Sequence, residues 1–137
     1  MTTDLVRAAR MLVAAEVGEV VSAADLAAGA ERACEKLHRH LSRVIGDVGM
    51  RALFSRSLSL SAIAFPWLPA PEGVQVDAPW RHLCTQLETQ SVATGLEASV
   101  NVIATLIGLV ARFIGDGLTL RLLGEVWPAI NGLKEKT

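Results

Sequence analysis

The sequence contains no tyrosine, and its three tryptophans and three phenylalanines make up only 4% of its 137 residues. Proteins that bind single-stranded nucleic acid stack bases on aromatic side chains that lie along a basic groove. The basic stretch of this chain, residues 32–43, has no interleaved aromatic residue. With a net charge of −1 as well, nucleic-acid binding is a less favoured but open alternative.

Charged residues are also scarce, at 20%, whereas apolar residues reach 51%. A small domain this apolar has more hydrophobic surface than its own core hides, which favours a homo-oligomer, a permanent partner or a membrane. The longest charge-free stretch in a helical pattern is residues 98–111, which is shorter than the roughly 18–20 residues of a spanning helix. The N-terminal residues carry both charge signs and lack a signal-peptide core. We therefore expect a cytoplasmic protein with no membrane span.

There are only two cysteines, Cys34 and Cys84, and no C-x-x-C pair. In a cytoplasmic protein we expect both to be reduced thiols packed in the core. Cys34 and His38, at i and i+4, could supply two zinc ligands, but His82 and Cys84, at i and i+2, point in different directions on a helix. No metal site or cofactor is predicted. A zinc site that includes Cys34 and His38 is the less favoured alternative.

Catalytic motifs are missing as well. There is no G-x-S-x-G nucleophile elbow and no phosphate-binding loop. The single G-x-G, from Gly115 to Gly117, is more typical of a tight turn between helices. Because catalysis requires convergent polar groups in one cleft, the sequence predicts a non-enzymatic protein.

What the sequence does contain is helical periodicity. It predicts one all-α domain, residues 1–137, formed as a bundle of five to six helices. A helical hairpin region covers residues 4–65, and in it a first helix runs from Asp4 to about Val21. A second begins after the cap Ser22 and ends at Gly46. Residues 57–65 alternate with period two, but a helix is favoured because no other segment offers a strand to pair with.

Three prolines interrupt the pattern and predict a Pro-rich joint near residues 66–71, within the linker 66–73. A second helical region, 77–128, follows, and residues 129–137 are predicted to form a frayed tail. The helices predicted in the region 77–128 run from about Ala78 to Gln90, from a capping box at Thr94–Glu97 to about Ile114, and from Asp116 to Trp127. No internal repeat is evident.

Four basic residues of the second helix follow the spacing i, i+4, i+7, i+11, which places them on one side of the helix. They are Arg32, Lys36, Arg39 and Arg43, and we call them the basic ridge. The ridge is either an ordinary solvated helix face or a binding surface for an acidic protein, phosphate groups or nucleic acid.

The helix predicted from Thr94 to about Ile114, the fifth in the chain, is apolar except for one narrow polar stripe. Such a pattern indicates a central position in the bundle. The stripe consists of Glu97, Asn101, Thr105, Gly108 and Arg112. It is either a thin seam facing solvent or a polar seam that sets register against a partner helix.

Apolar residues surround the last predicted helix, more than one core face requires. The candidate partner or oligomer interface is Leu118, Leu122, Val126 and Trp127. The leading hypothesis is association, either as a homodimer or by docking on a protein partner. The alternatives are anion or nucleic-acid binding through the basic ridge, and carriage of an apolar small molecule in the bundle core.

The segments "CEKLHRHLSRVIGDVGMRALFSRSLSL", "FPWL" and "FIGDGLTLRLLGEVWP" resemble a group of small bacterial helical proteins. In that group too, a helix like residues 34–61 leads to a Pro-Trp-Leu joint and a closing segment like residues 113–128. The resemblance implies a helical fold, and it brings no activity, ligand or site residue to this chain.

Overall fold

The computed structural model describes residues 3–19, 22–68 and 80–132, and in these residues all regular structure is helical, with no strand. The all-α bundle of five to six helices is therefore confirmed. The helices are α1 (Thr3–Val17), α2 (Ala23–Ile45), α3 (Asp47–Ser61), α4 (Trp80–Leu87), α5 (Val92–Ile114) and α6 (Asp116–Val126), with a 3-10 turn at Pro128–Ile130.

The ambiguous segment 57–65 is helical up to Ser61 and continues in turns. Burial in this segment does not follow the alternation, because Ser57 and Ser61 are buried, whereas Leu60 is 39% and Ile63 is 81% exposed. Ser57 tolerates burial because its hydroxyl donates to the Leu53 carbonyl at 2.9 Å.

Three predicted helix ends are wrong, and one of them is the end of the fourth helix, which lies at Leu87 and not near Gln90. The first helix stops at Val17 and not near Val21, because Gly18 adopts φ +62°, a left-handed conformation that ends helices. The fifth helix begins at Val92, and its cap is Ser91 rather than the box at Thr94–Glu97. The Ser91 hydroxyl accepts the Thr94 N–H at 3.2 Å.

The predicted joint and tail are only partly described. Residues 66–68 form a turn, with Leu68 buried, while 69–79 and 133–137 lie outside the described residues. The start of the predicted tail is not frayed, since Ile130 is 1% exposed. Asn131 also lies so close to Gly124 that a Cβ on that glycine would meet its side chain. The chain after α6 therefore packs back onto the bundle.

The central helix is α5, in which twelve of 23 residues are buried. It packs against α1, α2, α3 and α6. Of the described helices, it alone has the length and apolar composition to cross a membrane, and 61% of its most apolar window is buried within the bundle.

The six helices form two similar sets of three. Adding 69 to the residue numbers of α2 gives α5: both have 23 residues and both begin after a serine cap, Ser22 or Ser91. Both end in the sequence Arg-x-Ile-Gly-Asp, at 43–47 and at 112–116. The two glycines share one backbone conformation, φ 96°, ψ 154° for Gly46 and φ 88°, ψ 156° for Gly115. The structure thus has an internal repeat that the sequence did not make evident.

The packing repeats as well. Exchanging the sets α1–α3 and α4–α6 converts the packed pair α2–α4 into α5–α1, and α3–α5 into α6–α2. It also converts α2–α3 into α5–α6, while α2–α5 maps onto itself. These pairings are those of two halves related by an approximate two-fold exchange. Two pairs depart from the pattern: α1 packs closely on α2 and also contacts α6, but α4 has no comparable contact with α5 or with α3.

Candidate functional site

The basic ridge divides into two pairs. Lys36 donates to Glu16 Oε2 at 2.8 Å, and Arg32 donates to the Glu16 carbonyl oxygen at 2.7 Å. Within the described residues, Arg39 and Arg43 form no ion pair or side-chain hydrogen bond, and both are exposed. Only the second pair is therefore available to an anionic ligand without breaking a contact inside the chain.

Glu16 joins three helical segments. Its side chain is 9% exposed and also accepts a hydrogen bond from Trp127 Nε1 at 2.9 Å. Burial by itself would raise the pKa of Glu16, but the hydrogen bonds from Lys36 and Trp127, with the charges of Lys36 and Arg32, lower it overall. We call Glu16, Arg32, Lys36 and Trp127 the Glu16 cluster.

The two histidines of α2 face different neighbours. His38 Nε2 lies 2.5 Å from Asp47 Oδ1, and its ring is 5.0 Å from the Trp80 ring. His40 Nε2 lies 2.9 Å from Glu125 Oε1 of α6. The hydrogen bond from His38, with the charge of neighbouring Arg51, lowers the pKa of Asp47. Both histidines thus hold other helices to α2.

Cys34 and His38, the outside candidates for zinc, are not joined by further ligands. In the described ranges no group of three or more His, Cys, Asp or Glu side chains is placed to hold a metal ion. Both cysteines are free and buried. Burial raises the pKa of Cys34 well above its usual value and that of Cys84 to about 12. These thiols are therefore poor nucleophiles, since the thiolate is the reactive form.

The predicted interface on α6 is only partly accessible. Leu118 is 39% exposed and Leu122 and Val126 are half-buried, but Trp127 is 6% exposed and bound to Glu16. Trp127 therefore closes the end of this chain's own bundle. Its burial leaves Leu118 as the most exposed member of the predicted set.

The polar stripe of α5 faces outward. Glu97, Asn101 and Arg112 are exposed, and Glu97 pairs with Arg10 of α1 at 3.3 Å. Thr105 and Gly108 are half-buried in surface grooves between α1, α3 and α5. Within this chain the stripe is thus a seam toward solvent.

The largest exposed apolar side chains lie mainly elsewhere than the sequence indicated. Phe113 is 72% exposed and Val44 is 49% exposed. They occupy the same position, the x of Arg-x-Ile-Gly-Asp, in the two halves. Val48, 62% exposed, follows on α3 one turn before Ala52. The repeated motif was the available signal, because it places Val44 and Phe113 in the last turn before the glycine that ends each helix.

A surface pocket of about 460 Å³ lies where these two corners meet. Its lining contains no charged residue, and we call it the corner patch: Val44, Ile45, Gly49, Ala52, Leu53, Phe113 and Ile114. Both motifs contribute their exposed residue and their isoleucine. The charged positions of the motifs, Arg43 with Asp47 and Arg112 with Asp116, lie next to them and are all exposed. Arg112 and Asp116 line a separate groove with Arg56, and Asp47 is bound to His38 and Arg51. The patch itself is therefore an apolar depression defined by its uncharged lining.

No protein-family model, curated protein or solved structure matches this chain. The features available for assigning a function are therefore those of the fold and of its surface.

Proposed function

We propose that this protein acts by association with another protein chain, and that the corner patch is the contact surface. The observation that supports this most is the exposure of Phe113 beside an apolar depression. Contiguous apolar surface with a polar border is typical of interaction sites, and aromatic residues are enriched in them.

The neighbouring helix strengthens this proposal. Val48 and Leu60 of α3, and Ile63 in the turn that follows it, are exposed while Ser57 and Ser61 are buried. Covering these apolar residues would remove apolar surface from water at about 25 cal/mol per Å². A partner on the corner patch would cover the Val48 end of this helix.

The alternatives have less support. Anion binding through the basic ridge would rely on Arg39 and Arg43, because Arg32 and Lys36 bind Glu16. Carriage of an apolar molecule would require a sheltered cavity, whereas the corner patch is open to solvent along one side. The association proposal uses the most exposed apolar residues directly.

Two measurements on the purified chain test the proposal together. Light scattering at low micromolar concentration reports the mass, and an environment-sensitive apolar dye reports accessible hydrophobic surface. We expect either an oligomer, or a monomer that binds the dye and loses this binding in Phe113→Ser. A monomer that binds no dye would overturn the proposal, because the patch would then neither be covered by another chain nor bind an apolar molecule.

A further inference from the structure

A surface groove of about 820 Å³ lies between α1, α3, α5 and the start of α6, and its lining combines apolar and basic side chains. We call it the arginine groove. The lining residues that matter here are Arg56, Leu60, Thr105, Leu109, Arg112 and Asp116. Its volume is within the range of roughly 300–1,000 Å³ that is typical of sites for small molecules.

The charged side chains of the arginine groove have no partner in the part of the chain that the structure describes. Arg56, Arg112 and Asp116 are all exposed, and none of them forms an ion pair or a side-chain hydrogen bond with a described residue. Two arginines and one aspartate give the lining a net charge of +1. This charge matches a ligand with one negative group, whereas Asp116 would repel a second one. Guanidinium groups bind a carboxylate through paired N–H donors, so a carboxylate is the anion that fits best.

The equivalent surface in the other half is occupied by a contact within the chain. The exchange of halves converts the pair α3–α5 into α6–α2, and a shift of 69 residues relates Arg56 to Glu125 and Leu109 to His40. His40 Nε2 lies 2.9 Å from Glu125 Oε1, so these two side chains bind each other. The arginine groove has an apolar leucine and an unpaired arginine in their place. Its cation is therefore left for a group from outside the chain.

We infer that the arginine groove binds a small monocarboxylate with a short hydrocarbon chain. Arg56 and Arg112 bind the carboxylate, and the hydrocarbon chain covers Leu60, which is 39% exposed. The groove is open to solvent along one side, so the hydrocarbon chain is covered on one side only. This inference is independent of the proposed function, because the arginine groove and the corner patch share no lining residue.

Three probes, octanoate, octanol and acetate, separate the two parts of this ligand. Each is titrated into the isotope-labelled full chain, and nuclear magnetic resonance shifts report both the dissociation constant and the location. We expect octanoate to bind most tightly, with the largest shifts in residues 105–116. A CH₂ group that is covered on one side contributes about two-fold to binding, so hexanoate should bind about four-fold more weakly than octanoate.

These titrations can overturn the inference in several ways. Equal binding of octanol would show that the charge is not recognised, and equal binding of acetate would show that the hydrocarbon chain is not. No binding of octanoate at low millimolar concentration, or shifts confined to residues outside the arginine groove, would overturn it as well.

Variants of opposite sign test the charges directly. Arg56→Gln and Arg112→Gln should each weaken octanoate binding by about five-fold, which is the upper range for an exposed charge pair. Asp116→Asn removes the negative charge of the lining and should instead tighten binding by about two-fold. The matched control is Arg43→Gln, because Arg43 is exposed, has the position equivalent to Arg112 and lies outside the groove.

The control should leave the dissociation constant of octanoate unchanged, and far-ultraviolet circular dichroism confirms that each variant is folded. An equal loss in Arg43→Gln would show a general effect of charge and overturn the site. Unchanged binding in both groove arginine variants, or weaker binding in Asp116→Asn, would also overturn it.

Discussion

The two halves of this molecule share the length of the helices α2 and α5, a serine cap and a glycine corner, yet within the described residues a largely covered carboxylate joins two helices in the first half and has no counterpart in the second. Glu16 links α1 to α2 through Lys36 and Arg32. The equivalent positions in the second half, 69 residues later, are Thr85, Thr105 and Asn101.

Thr85 and Thr105 in the second half form hydrogen bonds within their own helices. Thr85 donates to the Arg81 carbonyl and Thr105 to the Asn101 carbonyl, so each hydroxyl bonds to its own helix. These threonines therefore form no hydrogen bond between α4 and α5, in agreement with the weak contact between the two helices. A repeated backbone therefore does not guarantee repeated packing, since α1 and α2 are joined by polar side chains and α4 and α5 are not.

The largest expected effect tests what the halves share. Leu37 and Leu106 are equivalent and are 0% and 1% exposed. Truncation of either one, Leu37→Ala or Leu106→Ala, should lower the free energy of unfolding by about 3 kcal/mol because each leaves a cavity in the same core. Chemical denaturation measures both losses. A difference of more than about 2 kcal/mol between the two variants would show that the two equivalent leucines contribute unequally to the stability of the core.

The next effect tests the two corners. Gly46 and Gly115 have positive φ with extended ψ, a region nearly restricted to glycine. Gly46→Ala and Gly115→Ala should each destabilise by about 2 kcal/mol. Gly117, which lies in α6 with open space around its Cα, is the control, and Gly117→Ala should stabilise slightly. Equal stability of all three variants would contradict the corner geometry.

A smaller effect tests what distinguishes the halves. Glu16→Gln removes the charge that Lys36 and Arg32 face and weakens the bond from Trp127, so we expect a loss of about 1.5 kcal/mol. Thr85→Ala, the equivalent change in the second half, removes an exposed local bond and should cost less than about 0.5 kcal/mol. Thermal and denaturant unfolding compare the two. If Thr85→Ala cost as much as Glu16→Gln, the asymmetry proposed above would be wrong.

The smallest effect is a dependence of stability on pH. The pKa values of Glu16 and Asp47, both in the first half, are lower in the folded protein than their usual values of 4.5 and 3.8. Their contribution is complete above these values and is lost as the pH falls through the folded pKa values. The free energy of unfolding should therefore decrease on acidification below about pH 5. Its decrease should be shallower in Glu16→Gln, and an unchanged slope would exclude Glu16 as a source.

Features encoded locally could be predicted from the sequence. Both ends of α2 were found because Ser22 caps it through the Asp25 N–H and Gly46 stops it. The end of α1 was missed because apolar residues continue past Gly18, and the start of α5 because Ser91 competes with the box at Thr94–Glu97.

Features that depend on distant residues could not be predicted in this way. The helical spacing predicted the basic ridge, but it gave no sign that Glu16 on α1 would bind two of its members. The burial of Trp127 likewise depends on a partner 111 residues away. The internal repeat was missed because few side chains besides Arg-x-Ile-Gly-Asp are shared, although the bounds of α2 and α5 correspond.

The bond between Glu16 and Trp127 has a consequence for the order of events during synthesis. Lys36 emerges from the ribosome 20 residues after Glu16, whereas Trp127 emerges 111 residues after it. At translation rates of roughly 5–20 residues per second, Lys36 is synthesised within a few seconds of Glu16, whereas Trp127 is synthesised about 5–20 seconds after it. The nascent first half can therefore join its charges early, while its last hydrogen-bond partner arrives only with the end of the second half.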